Sequence, residues 1–281
     1  LATSGLRRRL DIELVRRGLA ASRAQAAELV SSGQVLVQGA IAERPARLTA
    51  SGEAISVLAA RRFVGRGGEK LDGALDELGV EVSGRSAVDV GSSTGGFTDC
   101  LLQRGAARVV AVDVGRHQLH ERLRADPRVV VLEETDARHL DLGVLGLPPG
   151  ELVVVDVSFT SVVPLVPRLI AHLVEPGGDI VVLVKPEFEV GRREAARTRG
   201  VVRTPELWER AILMVGEAFV GEGAVLLGGA PSPLPGREGN REFFLWLRAP
   251  GGEVPPVPLP ALGPLARSLA ETAAGDGGGR G

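Results

Sequence analysis

The sequence predicts an α/β protein: a Rossmann-like sheet flanked by helices, preceded by a small α+β module rich in arginine. Three observations carry that expectation. Between residues 84 and 184, five short apolar runs rich in β-branched residues alternate with helical and turn-like stretches. Strands buried on both faces of a parallel sheet read in this near-continuous way. The first run ends in an acid, Asp89, and opens a glycine-rich turn. Charge is also divided unevenly: residues 1–66 hold eleven arginines against five acids, although the chain as a whole carries a net charge of −2.

Taken in order, residues 7–18 read as a short basic amphipathic helix with Leu10, Leu14 and Val15 on one face. Ser22-Arg-Ala-Gln25 is a capping-box pattern that opens a second helix, with Ala26, Leu29 and Val30 inward and Gly33 at its end. Weak strand signals follow at 35–37 and 55–57, with a Gln38-Gly39 turn between them. The sheet strands are then expected at 87–90, 109–112, 129–132, 152–155 and 180–184, with a helix starting in 95–104. A helix at 205–220 and strands near Val225 and at 243–247 complete the body. The segment 190–204 is polar and arginine-rich and reads as a mobile loop. Residues 249–281 are rich in proline and glycine and read as a largely disordered tail. The expected division is a basic N-terminal module at 1–60, a linker at 61–66, an α/β body at 67–248 and the tail at 249–281.

Composition narrows the function classes. With 44% apolar residues a sizeable core can form, and no run of 18 apolar residues suggests a membrane span. No charged segment followed by an apolar one opens the chain, and Leu1 leaves the true start undefined. Cys100 is the single cysteine, which excludes an internal disulfide and a cysteine zinc cage and fits the cytoplasm. His117, His120, His139 and His172 are scattered, so no metal is expected. A basic module on an acidic body points to a polyanionic partner held at one end, with a solvated helix face as the alternative. Of 33 basic residues only Lys70 and Lys185 are lysine. Lysine offers a compact ammonium whose pKa can be moved, which arginine does not.

The run Asp89-Val-Gly-Ser-Ser-Thr-Gly-Gly-Phe-Thr98 is the strongest local signal. Glycines let backbone approach a ligand, and a helix N-terminus presents free N–H groups. Asp113 closes the next strand, where a carboxylate is placed to accept from ribose hydroxyls of a nucleoside ligand. The spacing of Gly91, Gly95 and Gly96 does not fit the dinucleotide fingerprint, and no Gly-Lys-Ser/Thr of a P-loop follows. An acid before the loop disfavours a pyrophosphate and favours a cationic or zwitterionic ligand, for which S-adenosylmethionine is suitable. A bland strand–helix turn is the alternative. Asp136, after the third strand, is a candidate acceptor from an adenine amino group or a simple cap. Asp156 and Lys185 both end strands of the same sheet, on the edge where open α/β sheets bind ligands. A structural ion pair and a catalytic pair are both consistent with that placement.

Seven blocks then appear in order over residues 7–247: Leu10-Asp-Ile-Glu-Leu-Val-Arg-Arg-Gly18, Ser22-Arg-Ala-Gln-Ala-Ala-Glu-Leu29, Arg66-Gly-Gly-Glu-Lys-Leu71, Asp89–Thr98, Asp156-Val-Ser-Phe159, Val184-Lys-Pro-Glu-Phe-Glu189 and Asn240-Arg-Glu-Phe-Phe-Leu-Trp246. On these the chain resembles the TlyA family, often labelled hemolysin A, of bacterial ribosomal RNA ribose methyltransferases. The resemblance implies an N-terminal domain like that of ribosomal protein S4 and a methyltransferase domain of the FtsJ type. It implies a catalytic tetrad of Lys70, Asp156, Lys185 and Glu242, which includes both lysines of the chain. The cofactor S-adenosylmethionine is then expected at Asp89, Gly91, Ser92, Ser93, Thr94, Gly95, Gly96, Phe97, Thr98, Asp113, Asp136 and Asp156. Ribosomal RNA, in assembled or assembling subunits, is expected at Arg7, Arg8, Arg9, Arg16, Arg17 and Arg23. The target implied is a cytidine 2′-hydroxyl.

Two positions depart from the family pattern. Phe63 stands in Arg61-Arg62-Phe63-Val64 where the family often has tryptophan, and Asp136 stands where it often has asparagine. In the mechanism implied, Lys185 is the base, Lys70 favours its neutral form by repulsion, Asp156 orients it, and Glu242 holds Lys70 or the ribose. Competing classes are a membrane-active hemolysin, a pseudouridine synthase or non-catalytic ribosome-binding protein, and a methyltransferase acting on protein or a small molecule. The glycine loop with Asp113 argues against the second, the basic module against the third, and no membrane-length amphipathic helix supports the first.

Overall fold

Valine, isoleucine and leucine fill the strands of the main sheet, as strands covered on both faces require. The computed structural model describes residues 7–31, 33–58, 62–191, 200–252 and 260–275, and the chain divides into two units between Arg61 and Arg62.

In the N-terminal unit, α1 (Leu10–Arg16) and α2 (Arg23–Ser31) pack around Leu10, Leu14, Ala26 and Val30. A three-stranded sheet of β2 (Val35–Val37), β3 (Ala40–Ile41) and β5 (Ile55–Val57) completes that core. The capping pattern is realised: the Gln25 N–H donates to Ser22 Oγ at 3.1 Å, and the Gln25 side chain accepts from the Ala21 N–H at 2.6 Å. The helix predicted over 7–18 is shorter, because Arg8–Arg9 is extended as β1 and pairs with β4 (Leu48–Thr49).

The second unit holds a seven-stranded sheet. Its strands are β6 (Ser86–Val90), β7 (Arg108–Val112), β8 (Val129–Leu132), β9 (Gly150–Val155), β10 (Val174–Val184), β11 (Val225–Pro231) and β12 (Phe243–Arg248), in the order β11-β12-β10-β9-β6-β7-β8. β12 is antiparallel to both neighbours, and the remaining pairings are parallel. The chain moves outward from β6 through β7 to β8, then returns to β9 on the other side of β6. That reversal leaves a crevice above the C-terminal ends of β6 and β9. Helices α3 (Arg66–Leu78) and α4 (Gly96–Gln103) cover one face, burying Leu71, Ala74, Leu75, Cys100 and Leu101. The long helix α8 (Pro205–Gly221) covers the other with Trp208, Ile212, Val215 and Phe219. Between them in sequence lie three short helices, α5 (Glu121–Arg124), α6 (Val166–Arg168) and α7 (Pro186–Glu189).

Three expectations need correction. The tail expected over 249–281 contains a helix, α9 (Leu262–Gly275), with Ala266, Leu269, Ala270 and Ala273 buried against α8 and β11. Its apolar residues recur at helical spacing, and burying that face outweighs the proline and glycine around it. Residues 253–259 and 276–281 of the tail, like 192–199 of the expected loop, lie outside the described residues. The strand predicted at 180–184 begins earlier, at Val174. Finally, the described part of the linker belongs to the body. Phe63 is buried, the Val64 N–H donates to Asp99 Oδ2 at 2.8 Å, and Gln103 Nε2 donates to the Arg62 carbonyl at 2.9 Å. Gly68 makes this seat possible, since a Cβ there would fall 2.4 Å from the Phe63 ring.

Candidate active site

Strand β6 delivers Asp89 to the bottom of the crevice, fully buried. Thr98, on the first turn of α4, donates to Asp89 Oδ2 at 2.6 Å, while Oδ1 has no hydrogen-bond partner. Burial is the main cause that pushes this carboxyl up to about 7, helped by the charges of Asp156 and Asp113 and opposed by Thr98. A buried acid with an orphaned oxygen has unmet hydrogen-bonding capacity.

The turn after Asp89 is forced to be glycine. Gly91 has φ +88°, and a Cβ on it would lie 2.3 Å from the Asp156 carbonyl oxygen. The loops after β6 and β9 therefore touch, which brings Asp156 to the glycine loop. The row of free N–H groups expected here is largely taken up internally. Gly91 and Ser92 donate to the Val112 carbonyl, Gly95 to that of Ser92, and Ser93 to Asp113 Oδ2 at 2.8 Å. The loop offers a preformed cradle of small residues more than a set of donors. Asp113 is half-buried and also accepts from the Gly115 N–H at 2.6 Å, so its carboxylate is fixed at the rim. Thr94 is exposed, Gly96 is buried at the start of α4, and Phe97 turns into the core and stacks on Phe244 at 6.2 Å. Phe97 thus supports the loop from behind and does not line it. Asp136 is engaged by Arg138 in a bidentate ion pair that holds its carboxyl down at about 2.

All four residues of the expected tetrad converge. Lys70, on α3, is buried and forms an ion pair with Glu242, which immediately precedes β12. Lys185, at the end of β10, forms an ion pair with Asp156 and donates to Ser158 Oγ at 2.8 Å. The two pairs are neighbours, since Lys185 and Asp156 both act on the Glu242 carboxyl. Burial pushes that carboxyl up, against the pull of Lys70 and Lys185.

Sequence reasoning missed four contributors. Ser158 binds Lys185. Glu187 is a half-buried carboxyl beside the tetrad. Glu189 accepts from Ser161 Oγ at 2.5 Å and from the Val162 N–H at 2.9 Å, tying the loop after β9 to α7. Phe159 lies against Phe188 with ring centroids 5.8 Å apart, yet it is 82% exposed at φ +67°. All four sit inside motifs quoted above, but their partners lie on other segments and show only with the fold in hand.

In the N-terminal unit the six expected arginines differ. Arg7 is exposed. Arg8 lies in β1 and is half-buried. Arg9 and Arg23 pair with the buried Asp11, and Arg16 pairs with the buried Glu13, each keeping a guanidinium largely in solvent. Arg17 is a correction: it donates to Glu13 and to the carbonyls of Ser51 and Glu53, so its guanidinium pins a turn. Among the described residues no group of three or more His, Cys, Asp or Glu side chains is placed to hold a metal ion, and no helix is long and apolar enough to cross a membrane.

Comparison with known proteins bears on the same residues. The FtsJ-like methyltransferase family matches residues 63–249, and the S4 domain matches residues 8–55. The chain is 48% identical over 244 residues to a 16S/23S rRNA (cytidine-2′-O)-methyltransferase TlyA of Mycobacterium tuberculosis, covering 86% of this chain and 90% of the relative. It is 33% identical over 239 residues to a protein named Hemolysin A of Brachyspira hyodysenteriae, covering 84% of this chain and 98% of that one. A solved structure from Streptococcus thermophilus, also named for a hemolysin, superposes with a TM-score of 0.69 at 32% identity, covering 96% of this chain and 98% of that one.

Proposed function

The chain belongs to the FtsJ-like methyltransferase family, in the TlyA group that carries an S4 domain, and from that premise we propose that it methylates the 2′-hydroxyl of a cytidine in ribosomal RNA. The observation that carries this reading is the convergence of the chain's only two lysines, each ion-paired to a carboxylate, beside the glycine loop. The cofactor proposed is S-adenosylmethionine, whose sulfonium supplies an electrophilic methyl carbon. Asp89 would hold its ammonium, and Asp113 its ribose hydroxyls. Asp136 keeps a share in the adenine side only insofar as its pair with Arg138 opens.

Lys185 is the proposed base. An ammonium has three N–H positions; Ser158 accepts at one of them, and Asp156 pairs with the charge. A neutral amine that keeps its bond to Ser158 has a lone pair for the proton of a ribose hydroxyl. Glu242 pairs with Lys70 and fixes it in place beside the second pair. The exposed ring of Phe159 offers an apolar face to a nucleobase, as RNA enzymes that splay out a nucleotide require. Holding two reactants in line supplies about 7–11 kcal/mol of the barrier in favourable cases. The S4 domain would hold rRNA of the ribosomal subunits in the cytoplasm through Arg7, Arg8, Arg9, Arg16 and Arg23. The test is methyl transfer from labelled cofactor to ribosomal subunits, followed by mapping of ribose methylation. A label confined to protein, or to a base, overturns the reading.

A further inference from the structure

Two segments meet at Lys185, and they are joined at both ends. Lys185 leads into α7, where the Phe188 N–H donates to the Lys185 carbonyl at 2.9 Å and the Val190 N–H to that of Pro186 at 3.0 Å. The loop after β9 runs from Asp156 to Val162. At its near end Asp156 pairs with Lys185, and the Asp156 N–H donates to the Val90 carbonyl at 2.9 Å. At its far end the buried Glu189 carboxylate accepts from Ser161 Oγ at 2.5 Å and from the Val162 N–H at 2.9 Å. Ser161 Oγ accepts in turn from the Val163 N–H at 3.1 Å. Between these anchors Ser158, Phe159 and Thr160 are exposed. Among the described residues their backbone N–H groups find no acceptor. Phe159 has φ +67°, which a bulky residue keeps only where its surroundings hold it. Here they are the Phe188 ring at 5.8 Å and the Glu189 clamp on the next residues of the loop.

We propose that Glu189 is a positioning residue for methyl transfer: it holds the exposed segment 158–160 in the conformation that presents Phe159 to the target nucleoside and Ser158 to Lys185. The proposal rests on the ribose reading given above. Glu189 touches no reacting atom and exchanges no proton in this scheme. It stands at the end of the short helix that begins directly after Lys185, so what it fixes is fixed relative to the proposed base. Without the clamp Phe159 is free to relax to a negative φ, which carries its ring elsewhere, and Ser158 is free to leave the amine. A misplacement of about 1 Å can cost about 100-fold in rate. The two contacts need an acceptor for the Val162 N–H and a hydrogen-bonding partner for the Ser161 hydroxyl; neither needs a charge. A glutamine amide supplies both, its oxygen accepting and its nitrogen donating to the hydroxyl oxygen, whereas alanine supplies neither.

Two measurements on the full chain test this. The first is fluorine NMR of the chain labelled with 4-fluorophenylalanine, recorded without RNA, with the Phe159 signal identified by its loss in Phe159→Leu. In Glu189→Ala that signal should move while the signal of the core residue Phe219 stays, and in Glu189→Gln it should hold its place. The second is single-turnover methyl transfer to ribosomal subunits. Glu189→Ala should lose about 10–100-fold in rate, with cofactor affinity by calorimetry unchanged, and Glu189→Gln should keep most of the rate. Adding Phe159→Ala to Glu189→Ala should cost little more than Glu189→Ala alone, because residues that act through one another do not lose independently. An unmoved Phe159 signal or a near-normal rate in Glu189→Ala overturns the proposal. Equal loss in the Gln and Ala variants overturns it in favour of a role for the charge, and so does a double variant in which the two losses multiply. If Glu189→Ala does not fold, Ser161→Ala decides: it should move the Phe159 signal and lower the rate, and no change in either overturns the proposal. A wild-type chain that methylates no ribosomal RNA overturns the substrate reading and the catalytic half of the proposal, while the fluorine shifts still decide whether Glu189 holds Phe159.

Discussion

In the N-terminal unit Asp11 and Glu13 are buried, and each is met by two arginines; in the body Asp89 and Glu187 are shielded, and each keeps one oxygen without a partner. The outcome for charge is opposite. The arginine bonds hold Asp11 and Glu13 down at about 2, whereas burial lifts Asp89 and Glu187 to about 7. Burial raises a carboxylate's value and arginine partners lower it; at Asp11 and Glu13 the arginines outweigh burial, and at Asp89 and Glu187 burial prevails. The first arrangement fixes guanidinium groups in place and keeps them facing solvent, which suits a polyanion. The second leaves unmet hydrogen-bonding capacity, which suits a cationic ligand.

The largest test of this contrast is Lys185→Arg. Arginine keeps the ion pair with Asp156 but stays protonated. Turnover is expected to fall by about 10²–10⁴-fold while cofactor and RNA binding persist. Near-normal methyl transfer to ribosomal subunits by that variant would reduce Lys185 to an electrostatic role. Lys70→Arg, which preserves charge beside Glu242, should lose much less. Second in size is removal of residues 1–60, which should leave a folded body that no longer methylates ribosomal RNA. Binding by the full chain should weaken as salt rises, because phosphate contacts release counterions. A truncated body as active on rRNA as the full chain would break the division of labour.

A smaller effect is expected at Asp89. Its ionised form gains above about pH 7, so calorimetry should find cofactor affinity rising from pH 6 to 8. Asp89→Asn should flatten that dependence and weaken binding about 10-fold, since a hydrogen bond to a charged group contributes about 1.5–3 kcal/mol. The smallest effect is on stability. Asp11 and Glu13 have depressed values, so their contribution is complete above the ordinary carboxylate range and is lost as pH falls toward 2. Asp89 and Glu187 have raised values, so theirs is complete below that range and is lost as pH rises through about 7. Hydrogen exchange corrected for intrinsic rates should show the body gaining protection from pH 8 to 5 and the N-terminal unit losing it only below pH 4. Parallel behaviour of the two units would contradict the contrast.

Much of this was readable in the chain itself. Apolar runs located β6, β7, β8 and β9 within a residue or two, because strands covered on both faces carry their burial in composition. The scarcity of lysine marked Lys70 and Lys185 before any geometry was known, and the family resemblance placed Asp156 and Glu242 with them. Helices α3 and α9 were passed over although Leu71, Ala74 and Leu75, and Ala266, Leu269, Ala270 and Ala273, have helical spacing. Flanking glycine and proline masked that signal in both. The roles of Ser158 and Glu189, and the diversion of Arg17 to a turn, depend on contacts between distant segments or on side-chain direction. Local pattern carries neither.

The contact between Gly91 and the Asp156 carbonyl constrains how such an enzyme can be altered. One atom added at position 91 would push on the backbone that carries the partner of Lys185. A variant selected there for a bulkier sulfonium donor would shift the proposed base along with the proposed donor pocket. Changes at the two loops should therefore be strongly non-additive, and compensating pairs should be found across them.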